Sequence, residues 1–129
     1  MSRPASLAEL HERYLAAWAV RDPDAIIALH APETTFWVHH GQPAVEGSGP
    51  VRDAFATMFE ALPGFGFEVH RTVFGPRHWI LDWTLTCRTP AGAPAEWHCM
   101  DLVTTTADWQ VVRKDTFIDG VQFERALAG

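Results

Sequence analysis

Basic charge is scarce in this sequence: ten Lys and Arg stand against sixteen Asp and Glu, a net charge of −6 at pH 7. Nucleic-acid binding needs a basic footprint over the phosphates, and an anionic membrane attracts one too, so no nucleic acid and no membrane are expected as partners. Long apolar runs are also lacking. No stretch approaches the roughly 20 residues that cross a bilayer, and the opening MSRPASLAEL has no apolar signal-peptide core. Cysteine is reduced to Cys87 and Cys99. Two are too few for a disulfide framework, and they read as buried thiols in a reducing cytoplasm. There is no repeat, low-complexity tract or linker.

What is present points to one globular domain, residues 1–129. Apolar residues make up 47% of the 129 and charged residues 20%, an ordinary folded composition. Eight Phe, six Trp and one Tyr imply an aromatic interior larger than packing alone requires. Ser6 and Glu9 form an S-x-x-E capping box opening a helix. Leu7, Leu10, Tyr14 and Trp18 then recur on one helical face to about Val20. Asp22 caps a short second helix with Pro23 at its first position, and Pro32 marks its end. Residues 34–40 read as a strand, 46–50 as a loop, and a third helix runs from Pro50 to about Leu62. From Phe67 onward the pattern turns to strands over 67–74, 78–87, 96–105 and 109–117, with short turns that favour an antiparallel meander. A short helical piece at 121–127 closes the chain. Helices first and strands afterwards is an α+β signature.

The segments YLAAWAVRDPDAIIALHAPETTF (14–36), GSGPVRDAF (47–55) and VVRKDTFID (111–119) resemble the nuclear transport factor 2-like superfamily, in particular its SnoaL-like branch. The resemblance spans about residues 6–125. It implies a cone: a curved antiparallel sheet wrapped around the long N-terminal helix, enclosing an apolar pocket, usually paired into a homodimer through the sheet's outer face. It does not imply one activity, because isomerases, dehydratases, cyclases, epoxide hydrolases and non-catalytic members share the fold, so function has to be argued from the site.

Two polar residues stand where an apolar cone needs a reason for them. Tyr14 lies on the apolar face of the first helix. Asp101 shares the parity of Trp97, Cys99 and Val103 in the strand WHCMDLV. A buried carboxylate is costly unless paired or protonated. A neutral carboxylic acid beside a phenol offers two donors to an enolate oxygen, the arrangement that steroid isomerases of the superfamily use. Arg13-Tyr14 and Asp101 match that pattern, but the proton-abstracting Asp falls at Val38. His40 has the parity to replace it as a base, whereas His39 points outward.

Limonene-epoxide-hydrolase-like members use two aspartates bracketing an arginine. Asp101 and Asp115 match the acids, and the arginine falls at Cys99. Two carboxyls in one pocket could still divide into acid and base, or Asp115 could pair with Arg113 or Lys114 on the outer face. His70 is a further candidate for the pocket. His30 reads as a charge at a helix C-terminus, and Asp82 lies on a strand face that could be cavity or dimer interface, with interface favoured.

No metal site is expected: Glu96 and His98 stand two apart, but no closed ligand set appears. No organic cofactor is expected either. The sequence therefore predicts a small apolar or polycyclic oxygenated ligand in a cavity bounded by Trp18, Phe36, Val38, His70, Trp97 and Cys99. Tyr14, Asp101, Asp115 and His40 are the candidate catalytic groups. The chemistry expected is cofactor-free isomerisation, dehydration or cyclisation; the alternative is a non-catalytic binding or interaction protein of the same fold.

Overall fold

The structure, a computed structural model, describes residues 2–128. Helix α1 (Leu7–Ala19) begins where Ser6 accepts a hydrogen bond from the Glu9 N–H at 3.1 Å. The Glu9 carboxylate reaches back to the Ala5 N–H, one residue beyond a strict capping box, and so satisfies a second free donor. Ser6→Ala is expected to cost about 1 kcal/mol of stability in urea denaturation. Helix α2 (Pro23–Ile27) is capped by Asp22, which accepts from the Asp24 N–H. It stops five residues before Pro32, and the chain is already extended at His30.

Six strands form one sheet: β1 (His30–His39), β2 (Val45–Glu46), β3 (Gly66–Phe74), β4 (His78–Arg88), β5 (Pro94–Thr105) and β6 (Val111–Ile118), ordered β2-β1-β6-β5-β4-β3. The meander β3 to β6 is antiparallel throughout. The pairing of β1 with β6 is parallel, so the sheet is mixed rather than wholly antiparallel. Short turns join only the later strands. The first strand reaches β6 over the whole intervening chain, and nothing in its own sequence announces that direction. The two-residue β2 lies inside the segment read as a loop.

Helix α3 (Ser48–Ala61) starts two residues before Pro50, with Gly47 supplying a φ of +92 at its cap, a conformation that favours glycine. Strand alternation on β4 buries Trp79, Leu81, Trp83 and Leu85 and leaves Ile80, Asp82 and Thr84 on the outer face. The inner face packs on α1 and α3 through Leu10, Tyr14, Trp18, Val51 and Phe55. Each such fully buried large side chain contributes roughly 1.5–3 kcal/mol relative to exposure. Helix α4 (Gly120–Ala128) buries no residue fully, and Phe123 rests edge-on against Trp97. No described helix is long and apolar enough to cross a membrane, and both cysteines are buried and free.

Candidate functional site

Strand register builds the site. Asp101 on β5 stands opposite Thr116 on β6, and Val103 stands opposite Lys114. Alternation therefore sends Asp101, Lys114 and Thr116 to the same, inner face. Lys114 Nζ donates to Asp101 Oδ2 at 2.8 Å, and Thr116 Oγ1 donates to Oδ1 at 2.9 Å. Both charged side chains are buried, Lys114 at 7% and Asp101 at 3% exposure. Desolvating two charges is expensive, and such a pair persists only with good geometry and further hydrogen bonds. The pair has the geometry, Thr116 gives Asp101 its further bond, and the ammonium donates to Asp101 alone among the described residues. It also sits 4.8 Å from the Trp18 ring centroid and 5.3 Å from that of Tyr14, within cation–π range. Burial alone pulls the Lys114 ammonium downward, but the neighbouring Asp101 carboxylate and Tyr14 phenol outweigh it, and its pKa lies above the ordinary lysine value.

Tyr14 projects from α1 into the same floor. Its hydroxyl lies 2.9 Å from His30 Nε2, and His30 Nδ1 lies 2.8 Å from Thr34 Oγ1. All three side chains are buried. Desolvation, with a smaller contribution from the Lys114 charge, pushes His30 down to about 3, so the imidazole is neutral. Burial raises the Tyr14 phenol, against an opposing pull from Lys114.

These groups open onto a cavity of about 450 Å³, the size range of small-molecule sites. Its walls are apolar and largely aromatic, including Trp18, Phe36, Trp79, Trp83, Trp97 and Phe123. Polar atoms are concentrated in the Tyr14, Asp101, Lys114 and Thr116 floor and in His40 and exposed Gln42 at the opening. A few polar groups converging in an apolar chamber define a pocket that can orient one oxygenated end of an otherwise apolar molecule.

Most of the expected lining residues are found in that wall: Tyr14, Trp18, Phe36, Val38, His40, Trp97, Cys99 and Asp101. His40 follows the last residue of β1 in a tight turn and packs edge-on against Phe123 at 5.0 Å. No hydrogen bond among the described residues joins it to Tyr14, Asp101 or Lys114. Nor are Tyr14 and Asp101 bonded to each other. Asp101 is an ion-paired acceptor, so the expected pair of neutral donors is replaced by a phenol and an ammonium. Cys99, pushed up to about 12 mainly by desolvation and next by Asp101, is a wall and not a nucleophile.

Three expectations are corrected. Asp115 does not line the cavity. β6 parity turns it outward, where it accepts from Arg113 Nε at 2.8 Å and lies 2.8 Å from His39 Nε2. Burial pushes its carboxyl up, but Arg113 and His39 outweigh this and hold it below the ordinary value. Its stabilising contribution is present above the unfolded pKa near 4 and is lost as acid titrates the folded carboxylate. Asp115→Asn should therefore flatten the acid limb of stability below about pH 4 without changing the cavity, as denaturation midpoints across pH would show.

His70 also points outward, 2.7 Å from Thr84 Oγ1. There Asp82 accepts from Arg71 and contacts His98, as expected of an outer-face residue. His30 is a strand residue in the core, not a helix-end charge, because α2 ends early. The sequence leaves open whether Asp115 or Lys114 faces inward, and it is Lys114: beside Arg113 and Asp115 it reads as one of a surface charge run, and only the inward position of Thr116 would have signalled its parity. Among the described residues, no group of three or more His, Cys, Asp or Glu gathers as a metal site.

A curved, open sheet packed over helices in this way places the protein among the cone folds. Residues 11–114 match the SnoaL-like domain family, and the chain belongs to it. No curated protein sequence matches it. Among solved structures, TerC co-crystallised with polyporic acid superposes with a TM-score of 0.83 at 16% identity, covering 95% of this chain and 98% of that one. A candidate SnoaL-like polyketide cyclase from Jannaschia sp. CCS1 gives 0.81 at 21% identity over 100% and 98%. The epoxide hydrolase/cyclase-like enzyme SalBIII, of pyran ring formation in salinomycin, gives 0.79 at 16% over 89% and 92%. At these identities the likeness is one of fold.

Proposed function

We propose that the protein binds a small, apolar molecule carrying an enol, phenol or carbonyl oxygen, and isomerises, dehydrates or cyclises it without a cofactor. The observation that carries this reading is the Lys114 ammonium held against Asp101, Tyr14 and Trp18 at the floor of an apolar cavity. An enolate oxygen placed there meets an ammonium and a phenol inside a low-dielectric wall, where fixed donors stabilise developing charge most strongly. His40 is the cavity-lining group free to move the proton, from the opening side. The crystallisation of a structurally similar protein with polyporic acid supports a ligand of this kind.

The test is titration with 2-hydroxy-1,4-naphthoquinone, an acidic, flat and oxygenated probe, followed by quenching of the cavity tryptophans. Tyr14→Phe should weaken binding about tenfold, the equivalent of one hydrogen bond to a charged oxygen. Failure of the wild type to bind at millimolar probe would sink the reading. Val38, in place of an aspartate base, and the ion-paired Asp101 favour a second reading, a binding protein that returns its ligand unchanged. Chromatography of the ligand after incubation separates the two.

We also propose a homodimer through the outer sheet face, which exposes Leu102, Phe117 and Val73. Phe117 is 46% exposed and stacks on His39 at 4.1 Å. Phe117→Glu should give a monomer by sedimentation, and an unchanged sedimentation coefficient would argue against this face.

A further inference from the structure

We infer that His30 and Thr34 are positioning residues that fix which way the Tyr14 hydroxyl donates, leaving its proton free for a ligand oxygen in the cavity. The inference rests on the pocket reading above and assigns the two residues behind it a task.

The argument is a count of protons along the buried row Thr34, His30, Tyr14. Neutral imidazole has one N–H and one bare nitrogen, and the row can therefore run in either of two directions. In the first, Tyr14 donates to Nε2 and Nδ1 donates to Thr34. In the second, Thr34 donates to Nδ1 and Nε2 donates to the phenol oxygen.

Thr34 decides between them. It is 0% exposed, and among the described residues its hydroxyl oxygen has one hydrogen-bonding neighbour, His30 Nδ1 at 2.8 Å. In the first direction the Thr34 proton is buried with no acceptor, which is costly. In the second, the Thr34 proton is used, and the one proton left without a protein acceptor is that of Tyr14, which lines the cavity. Nδ1 is then the bare nitrogen, and Nε2 carries the proton across the 2.9 Å to Tyr14.

The environment holds the row in that state. His30 is 5% exposed and cannot take a second proton beside the Lys114 charge without a large desolvation cost. With the donor approaching from His30, the phenol oxygen is an acceptor on its protein side. Its own O–H points where no protein acceptor stands, into the cavity that Tyr14 lines. Tyr14 is thus set to donate to the same ligand oxygen that Lys114 attracts, which favours an anionic or developing enolate oxygen over an ether or a hydroxyl used as donor.

Nitrogen-15 NMR of the ligand-free protein reads the tautomer directly. The expected result is protonated Nε2 and bare Nδ1 for His30 at pH 7; a protonated Nδ1 overturns the inference. As a second readout, Thr34→Val removes the donor at nearly constant volume. It should weaken 2-hydroxy-1,4-naphthoquinone binding about tenfold, shift the His30 nitrogen signals toward a tautomer mixture, and be rescued by Thr34→Ser. Unchanged affinity and signals in Thr34→Val overturn the inference, whereas a lower melting temperature alone reports only packing. If the wild type does not bind the probe, the pocket reading falls, and the nitrogen signals still decide the tautomer.

Discussion

Lys114→Met is expected to remove about 3–5 kcal/mol of folding stability at neutral pH, the cost of leaving one member of a buried ion pair without its partner. Methionine fills nearly the same volume, so the loss is electrostatic. Asp101, 3% exposed, would keep a single neutral hydrogen bond from Thr116 in place of an ammonium at 2.8 Å. Its carboxylate is then left in an apolar wall with no cation beside it. The wild-type pair carries a pH dependence at the alkaline end. Because the folded Lys114 pKa is raised, its contribution is fully present below the unfolded value near 10.4 and disappears only as pH rises through the folded one. A second substitution isolates the cause: Lys114→Met with Asp101→Leu should recover most of the loss, since a hydrophobic replacement of both partners is often neutral or better. Urea denaturation at pH 7 measures both variants, and at pH 9 the wild-type Lys114 contribution should still be whole. A single-variant loss below about 1 kcal/mol at pH 7, the range of exposed pairs, would mean that the pair is neither dry nor charged as the structure has it. Neither outcome needs a ligand, so this result bears on the site's electrostatics independently of what the cavity holds.

How much of this could be read from the sequence depended on whether the signal was local. The capping box at Ser6, the Asp22 and Pro23 start of α2, and the alternation of Trp79, Leu81, Trp83 and Leu85 are local, and they place α1, β4 and the start of α2, though not its end, to within a residue or so. Tyr14 and Asp101 were visible because each is a polar residue among apolar neighbours of the same face. Asp115 and Lys114 were not separable in this way, since adjacent charged residues of a strand point to opposite faces and β6 offers Arg113, Lys114 and Asp115 in succession. The register with β5, a property of two strands together, settles it by putting Thr116 opposite Asp101. His30 was misread for a related reason. Its role follows from the parallel approach of β1 to β6 and the irregularity between His30 and Thr35, which no window of the sequence around residue 30 contains.

His30 should dominate the acid sensitivity of the fold. Its folded pKa of about 3 lies far below the unfolded value near 6.5, so the unfolded chain binds the extra proton first. Between those values stability therefore falls as pH falls, by up to about 1.4 kcal/mol per unit, which amounts to about 2 kcal/mol on going from pH 6.5 to 4.5. His30→Gln removes the titration while keeping a polar side chain of similar reach. At pH 7 the variant should be less stable than the wild type by about 1–3 kcal/mol, for the broken row of hydrogen bonds to Tyr14 and Thr34. At pH 4.5 the gap should close or change sign, since the variant gives up nothing to protonation. Taking the difference between the two proteins at each pH cancels the other six histidines and the carboxylates that both share. Chemical denaturation at half-unit steps from pH 4.5 to 7 is the measurement, and parallel curves would show that His30 is not held neutral by burial. Convergence would tie a stability cost to the device proposed above: a histidine that must remain uncharged to keep Tyr14 donating makes the fold more sensitive to acid than a leucine in its place would.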